Sequence, residues 1–176
     1  GSRDHARDYC HFNSQKPVLL VIGGSSGSKV INDTVRALLP RLLKEFQVIH
    51  LCGRGNIDNS LMKTAGYAQF EYIRQQLKDM FALADIVISR SGANAICELL
   101  ALHKPNILIP LSANASRGDQ ILNAKSFEKQ GFSFVIEEEN LSGETLLAAL
   151  HTVMRKKSAY IAAMAASGQM DSIQHI

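Results

Sequence analysis

The sequence predicts an α/β domain in which a parallel sheet is layered with helices. Three observations predict it. Short apolar runs without polar alternation recur along the chain, as expected of strands buried on both faces. Stretches with apolar residues at helical spacing lie between them, and the two kinds alternate about six times, the order of crossover-connected parallel strands. Glycine- and serine-rich turns follow several of the runs, where open α/β sheets place their ligands.

The elements follow in order. Residues 3–16 are polar and unpatterned and read as a linker or a leading helix. Residues 18–22 (VLLVI) form the first buried strand, bounded by Pro17 and Gly23-Gly24. After Gly23–Ser28, the apolar Val30, Ile31, Val35, Leu38 and Leu39 predict a helix; Pro40 interrupts it, and Leu42, Leu43 and Phe46 continue its face. Residues 47–52 are the second strand, 57–65 a short helix closed by Gly66, and 67–72 an alternating strand. Helices at 75–84, 93–103 and 119–130 alternate with strands at 85–89, 106–110 and 132–136, and 142–168 is mostly helical.

Composition narrows the function classes. A chain of 176 residues, 46% hydrophobic and 20% charged, has the makeup of one soluble globular domain. The net charge of +3 comes from scattered Lys and Arg, which argues against a nucleic-acid footprint. The three cysteines, Cys10, Cys52 and Cys97, have neither knuckle nor redox-pair spacing and fit a reducing compartment. The histidines form no ligand cluster, so no metal site is expected, and no cofactor is implied. No apolar run reaches the roughly 20 residues that span a bilayer. Gly1-Ser2 reads as a cloning remnant, so the chain is expected to begin inside a longer protein.

Three segments could carry chemistry. The turn Gly23-Gly24-Ser25-Ser26-Gly27-Ser28 exposes amides before a helix N-terminus and suits a phosphate or diphosphate; its alternative is a tight turn alone. It matches neither the P-loop nor the G-x-G-x-x-G fingerprint. Ser89-Arg90-Ser91-Gly92-Ala93-Asn94-Ala95-Ile96-Cys97-Glu98 repeats the logic. Glu98 could hold both hydroxyls of a ribose or act as a first-turn acid on the helix dipole. Arg90 could pair with a phosphate or, more commonly, with an acid, and Cys97 reads as a small buried hydrophobe. In Ser116-Arg117-Gly118-Asp119-Gln120, Asp119 reads as an N-cap, whereas Gln120 has no capping motive and offers an amide to sugar hydroxyls.

Together, in this order and spacing, the three segments resemble the C-terminal domain of the MurG family, within glycosyltransferase family 28. The resemblance runs from about Pro17 to Ile176. It implies a Rossmann-like three-layer domain forming one half of a two-domain GT-B enzyme, with 1–16 as scar and interdomain linker and 17–176 as the donor-binding domain. It further implies transfer of N-acetylglucosamine from its UDP conjugate, with inversion, to lipid I, giving lipid II for peptidoglycan. The acceptor site, catalytic base and membrane contact are expected in an N-terminal domain, on the cytoplasmic face of the membrane. The fragment alone is expected to be soluble and to bind donor without transferring it. By motif, Gly24 and Ser25 should meet the diphosphate, and Ile73 should meet uracil through its backbone. Ala93, Asn94, Ala95, Ile96 and Cys97 should frame the nucleotide, Glu98 the ribose, and Gln120 the sugar. Asp119 stands where other members carry Gln, and Arg3 is the candidate for the family's linker Arg that contacts phosphate, although the motif that flanks that Arg is absent here. These corners are expected to converge on the pyrophosphate. Its alternatives are a natural single-domain donor subunit of a two-subunit transferase, and a nucleotide-binding regulatory or dehydrogenase module.

Overall fold

The computed structural model describes residues 1–24, 27–112 and 118–174, the side chains of 169–174 excepted. The helices are α1 (Arg3–Tyr9), α2 (Lys29–Glu45), α3 (Leu77–Leu83), α4 (Ala93–Ala101), α5 (Asp119–Lys129), α6 (Gly143–Arg155) and α7 (Lys157–Gln174). The strands are β1 (Val18–Ile22), β2 (Gln47–Leu51), β3 (Tyr67–Phe70), β4 (Ile86–Ser89), β5 (Asn106–Leu108) and β6 (Phe134–Val135). They form one sheet in the order β3-β2-β1-β4-β5-β6. That is the strand order of the Rossmann fold. β1 and β2 pair in parallel from Val18↔Gln47 to Ile22↔Leu51, β2 and β3 from Val48↔Tyr67 to Leu51↔Phe70, and β5 and β6 at Ile107↔Phe134 and Leu108↔Val135. The predicted α/β class with a parallel sheet is therefore what the chain adopts.

The chain divides into two compact units, Gly1–Ile88 and Ser89–Ile176. In the first, Leu19, Leu20, Ile31, Leu42, Ile49, Met80, Leu83 and Ile86 are fully buried. All five residues of β2 are buried, which explains its lack of alternation. In the second, Leu99, Ile107 and Leu108 form the centre, joined by Leu146, Leu150 and Val153 from α6. At about 25 cal/mol per Å² of apolar surface, each such side chain contributes roughly 1.5–3 kcal/mol on burial.

Two elements differ from the sequence reading, and a third settles between its alternatives. α2 runs through Pro40 without a break. The proline is exposed, while Ile31, Val35, Leu38, Leu39 and Leu42 form one buried stripe on both sides of it. The packing of that stripe outweighs one lost amide bond. The helix expected at 57–65 shrinks to a 3-10 turn, Asn59–Leu61, with no buried residue to hold more; Asp58 caps it through Ser60 N at 3.0 Å. Of the two readings of 3–16, a linker or a leading helix, residues 3–9 adopt the helix, α1. Ser2 caps it, Ala6 is fully buried, and the helix packs on α3, with Arg3 donating to Ala82 O at 2.9 Å.

Candidate functional site

The turn after β1 is shaped by glycine. Gly24 and Gly27 have φ of 97° and 79°, and Gly27 N donates to Gly24 O at 3.0 Å. A Cβ on Gly27 would stand 2.2 Å from Cys52 O, so only glycine fits against the corner that ends β2. Gly24 has nothing among the described residues within 4 Å of such an atom. Ser28 then caps α2 by accepting from Ile31 N at 3.3 Å. Ser25, expected on the diphosphate, lies outside the described residues.

Beneath this turn runs a polar network that the sequence reading did not find. Asn32 Nδ2 donates to Cys52 O at 2.9 Å, and Asn32 Oδ1 meets His50 Nε2 at 2.8 Å. His50 Nδ1 meets the Tyr67 hydroxyl at 2.6 Å. Arg36 donates to that hydroxyl at 3.3 Å, to Gln69 Oε1 at 2.7 Å and to Asn56 O at 2.6 Å. Burial, helped by the nearby Arg36 charge, pushes the His50 imidazole down to about 3, and burial holds the Tyr67 phenol above its ordinary value. The available signal was a polar residue inside otherwise apolar strands: His50 in QVIHL and Gln69 in YAQF.

Past β3, Gly53 N donates to Glu71 O at 2.9 Å and Gly55 N to the Glu71 carboxylate at 2.5 Å. Arg74 lies over the Tyr72 ring, 5.6 Å from its centroid. The Ile73 side chain is buried, so only its backbone can face a ligand.

In the second unit, α4 and α5 begin at Gly92 and Gly118, and neither has a side-chain cap among the described residues. The contrast is with α6, whose Ser142 and Thr145 form a reciprocal capping box. First-turn amides without a capping oxygen can take an anion. Gln120 joins the loops around these helix starts. Its Oε1 accepts from Leu111 N at 2.9 Å and Ser91 N at 3.3 Å, while Ser91 Oγ donates to Gln120 O at 2.7 Å. Its Nε2 has no partner among the described residues and lies 3.9 Å from where a Cβ on Gly92 would stand. Gln120 can therefore present a donor but not the acceptor half of its amide.

Several sequence readings change here. Asp119 is the first helical residue of α5 rather than its N-cap, and makes no cap bond; Gly118 at φ 85° takes that place. Glu98 sits in the second turn of α4, whose first turn holds no acid, so the dipole reading does not apply to it. Its carboxylate is exposed and has no partner among the described residues. Cys97 is exposed rather than buried, because α4 turns only Ile96 and Leu99 fully inward. Ala93 and Asn94 are exposed, Ala95 is half-buried, and Ile96 is buried with its amide donating to Gly92 O at 3.1 Å. Arg90 takes the acid: its guanidinium meets Glu138 Oε1 at 2.5 Å and donates to Ile109 O at 3.1 Å.

A parallel sheet in Rossmann order, with glycine corners and open helix starts following its strands, defines the class: a Rossmann-like α/β domain. A family model described as "Glycosyltransferase family 28 C-terminal domain" matches residues 18–176, and the chain belongs to that family. The family expected from the three motifs is thus borne out. Two relatives are each named UDP-N-acetylglucosamine–N-acetylmuramyl-(pentapeptide) pyrophosphoryl-undecaprenol N-acetylglucosamine transferase. The one from Lachnoclostridium phytofermentans is 60% identical and that from Lachnospira eligens 57% identical, over all 176 residues of this chain and 50% of each relative. The chain therefore spans about half the length of the curated relatives it matches. The crystal structure of Acinetobacter baumannii MurG aligns with a TM-score of 0.72 at 23% identity, over 100% of this chain and 54% of that one; the likeness is one of fold.

Proposed function

We propose that this chain is the donor-binding half of an inverting GT-B glycosyltransferase and takes UDP-N-acetylglucosamine as its ligand. The observation that carries the reading is the pair of glycine-started helices α4 and α5, uncapped among the described residues and locked together by Gln120, with the Glu98 carboxylate, which has no partner among those residues, one and a half turns into α4. The names of the relatives supply the sugar, the nucleotide and the acceptor. Gly24 and Ser25 serve the diphosphate, the Ile73 backbone the uracil, and Ala93, Asn94, Ala95, Ile96 and Cys97 the nucleotide frame. Glu98 accepts from the ribose hydroxyls. Gln120, its carbonyl already used, donates to the sugar through Nε2, with Asp119 beside it. Residues 17–176 act as the donor domain and 1–16 as its linker.

In the whole protein the acceptor hydroxyl of lipid I attacks the anomeric carbon. The new C–O bond forms as the bond to the diphosphate oxygen breaks, with inversion. The hydroxyl proton passes to a base in the N-terminal half, and the electron pair leaves with UDP. Helix-start and turn amides face the charge growing on UDP, as an oxyanion hole faces its oxyanion. Membrane contact, at the cytoplasmic face, belongs to the N-terminal half; no helix among the described residues is long and apolar enough to cross a bilayer.

Calorimetric titration tests this. The chain should bind UDP-N-acetylglucosamine and not NAD, and Glu98→Ala should lose about 1–3 kcal/mol of affinity, the scale of a hydrogen bond to a charged group. Unchanged affinity in a folded Glu98→Ala variant removes Glu98 from the site; NAD binding without uridine-nucleotide binding removes the reading.

A further inference from the structure

The network under the glycine turn has a fixed direction. Arg36 donates to the Tyr67 oxygen at 3.3 Å; because Asn32 Oδ1 can only accept from His50 Nε2, Nδ1 of the neutral ring is left as an acceptor, and Tyr67 turns its own proton to it at 2.6 Å. His50 then carries its proton on Nε2 and gives it to Asn32 Oδ1 at 2.8 Å. That bond orients the Asn32 amide so that Nδ2 faces Cys52 O at 2.9 Å. The run ends at a carbonyl, which can only accept. Each member has one orientation that satisfies its neighbours, and Asn32, His50 and Gln69 are nearly or fully buried, where an unsatisfied group costs most.

The end of the run is the carbonyl on which the phosphate turn rests. Cys52 O takes Asn32 from one side and Asn56 Nδ2, at 3.1 Å, from another. It also faces Gly27 closely enough that no side chain fits between them. Arg36 secures the same corner a second time through Asn56 O at 2.6 Å. A fully satisfied polar network of this kind specifies one geometry more sharply than apolar packing. We infer that Arg36, Tyr67, His50 and Asn32 are positioning residues for Gly24 and Gly27 in the turn after β1: they hold the Cys52 corner against which Gly27 packs, and so keep that backbone in the shape that receives the donor diphosphate. None of the four touches the ligand, and the inference rests on the donor-binding reading above.

The test separates positioning from general stability and from that reading. Tyr67→Phe removes one hydroxyl and keeps the ring in place; Asn32→Leu cuts the last link. Hydrogen exchange at the Gly27 amide in ligand-free protein should quicken at least threefold in Tyr67→Phe, and more in Asn32→Leu. Affinity for UDP should fall roughly 3–10-fold in Tyr67→Phe, while that for uridine, which lacks phosphates, stays within twofold of wild type. Unchanged Gly27 exchange in folded Tyr67→Phe overturns the inference, as does an equal loss for UDP and uridine, or no loss of UDP affinity. Should Asn32→Leu fail to fold, Tyr67→Phe decides alone. A wild-type chain that does not bind UDP defeats the donor reading, and the phosphate-positioning role with it, whereas UDP binding by wild type that Tyr67→Phe leaves intact defeats the positioning role only.

Discussion

Replacing Gly27 with alanine isolates the close approach between the turn after β1 and the corner after β2. Two costs arise. A φ of 79° is unfavourable for an L side chain by roughly 1–2 kcal/mol. The new Cβ would also stand 2.2 Å from Cys52 O and 2.8 Å from Asn56 Nδ2. The first of these is backbone and cannot rotate away, so the overpacking adds about 1–3 kcal/mol. A gain of about 0.4–1 kcal/mol, from the smaller entropy of the unfolded chain, offsets part of this. Gly24→Ala shares the positive φ, at 97°, and the same entropy gain, but meets nothing within 4 Å among the described residues. The difference between the two variants is therefore the contact alone, about 1–3 kcal/mol. Urea denaturation of both, read from midpoints at equal m, measures it. Equal stabilities for Gly24→Ala and Gly27→Ala would refute the close approach and the support it gives the turn.

Three further outcomes follow from the geometry. His50 is neutral in the fold, with its imidazole lowered from 6.5 to about 3, so protonation favours the unfolded chain. Its contribution is fully present above pH 6.5 and is lost as pH falls towards 3, at up to about 1.4 kcal/mol per pH unit; subtracting a folded His50→Gln variant across pH 6.5 to 5 should reveal that slope, and a flat difference contradicts it. His103 occupies a left-handed position, φ 53°, in a helix-ending motif where His103 N meets Leu100 O and Lys104 N meets Leu99 O. His103→Gly should therefore raise thermal stability by up to about 1 kcal/mol, and a loss would count against that strain. Arg90→Met should cost about 1–3 kcal/mol in stability by leaving Glu138 and Ile109 O without their partner, yet leave UDP affinity unchanged; a selective loss of UDP affinity would return Arg90 to the phosphate.

Much of this architecture was legible in the residues. VLLVI and DIVIS announce buried parallel strands because no polar face interrupts them, and Gly-Ser turns after such strands point to ligand loops. What escaped was decided by tertiary packing. Pro40 breaks a helix in isolation, but a buried stripe on either side of it holds α2 whole. Glu98 and Asp119 were read against helix starts one residue or one turn away from where the caps fall, and glycine rather than aspartate takes the cap of α5. The network of Asn32, Arg36, His50, Tyr67 and Gln69 draws on three elements separated by up to 37 positions in the chain, so no local spacing rule could reveal it. Gln120 drew notice for lacking a capping motive, yet half of its amide serves backbone groups that only the fold brings near.

The most direct test is a ¹⁵N-resolved NMR titration of this chain with UDP-N-acetylglucosamine. Amides of Gly24, Gly27, Ile73, Ala93, Asn94, Ala95, Asp119 and Gln120 should shift together and saturate at one ligand per chain. Shifts confined to other surfaces, or an unchanged spectrum at saturating UDP-N-acetylglucosamine, would contradict the assignment of this domain as the nucleotide-sugar half of the enzyme.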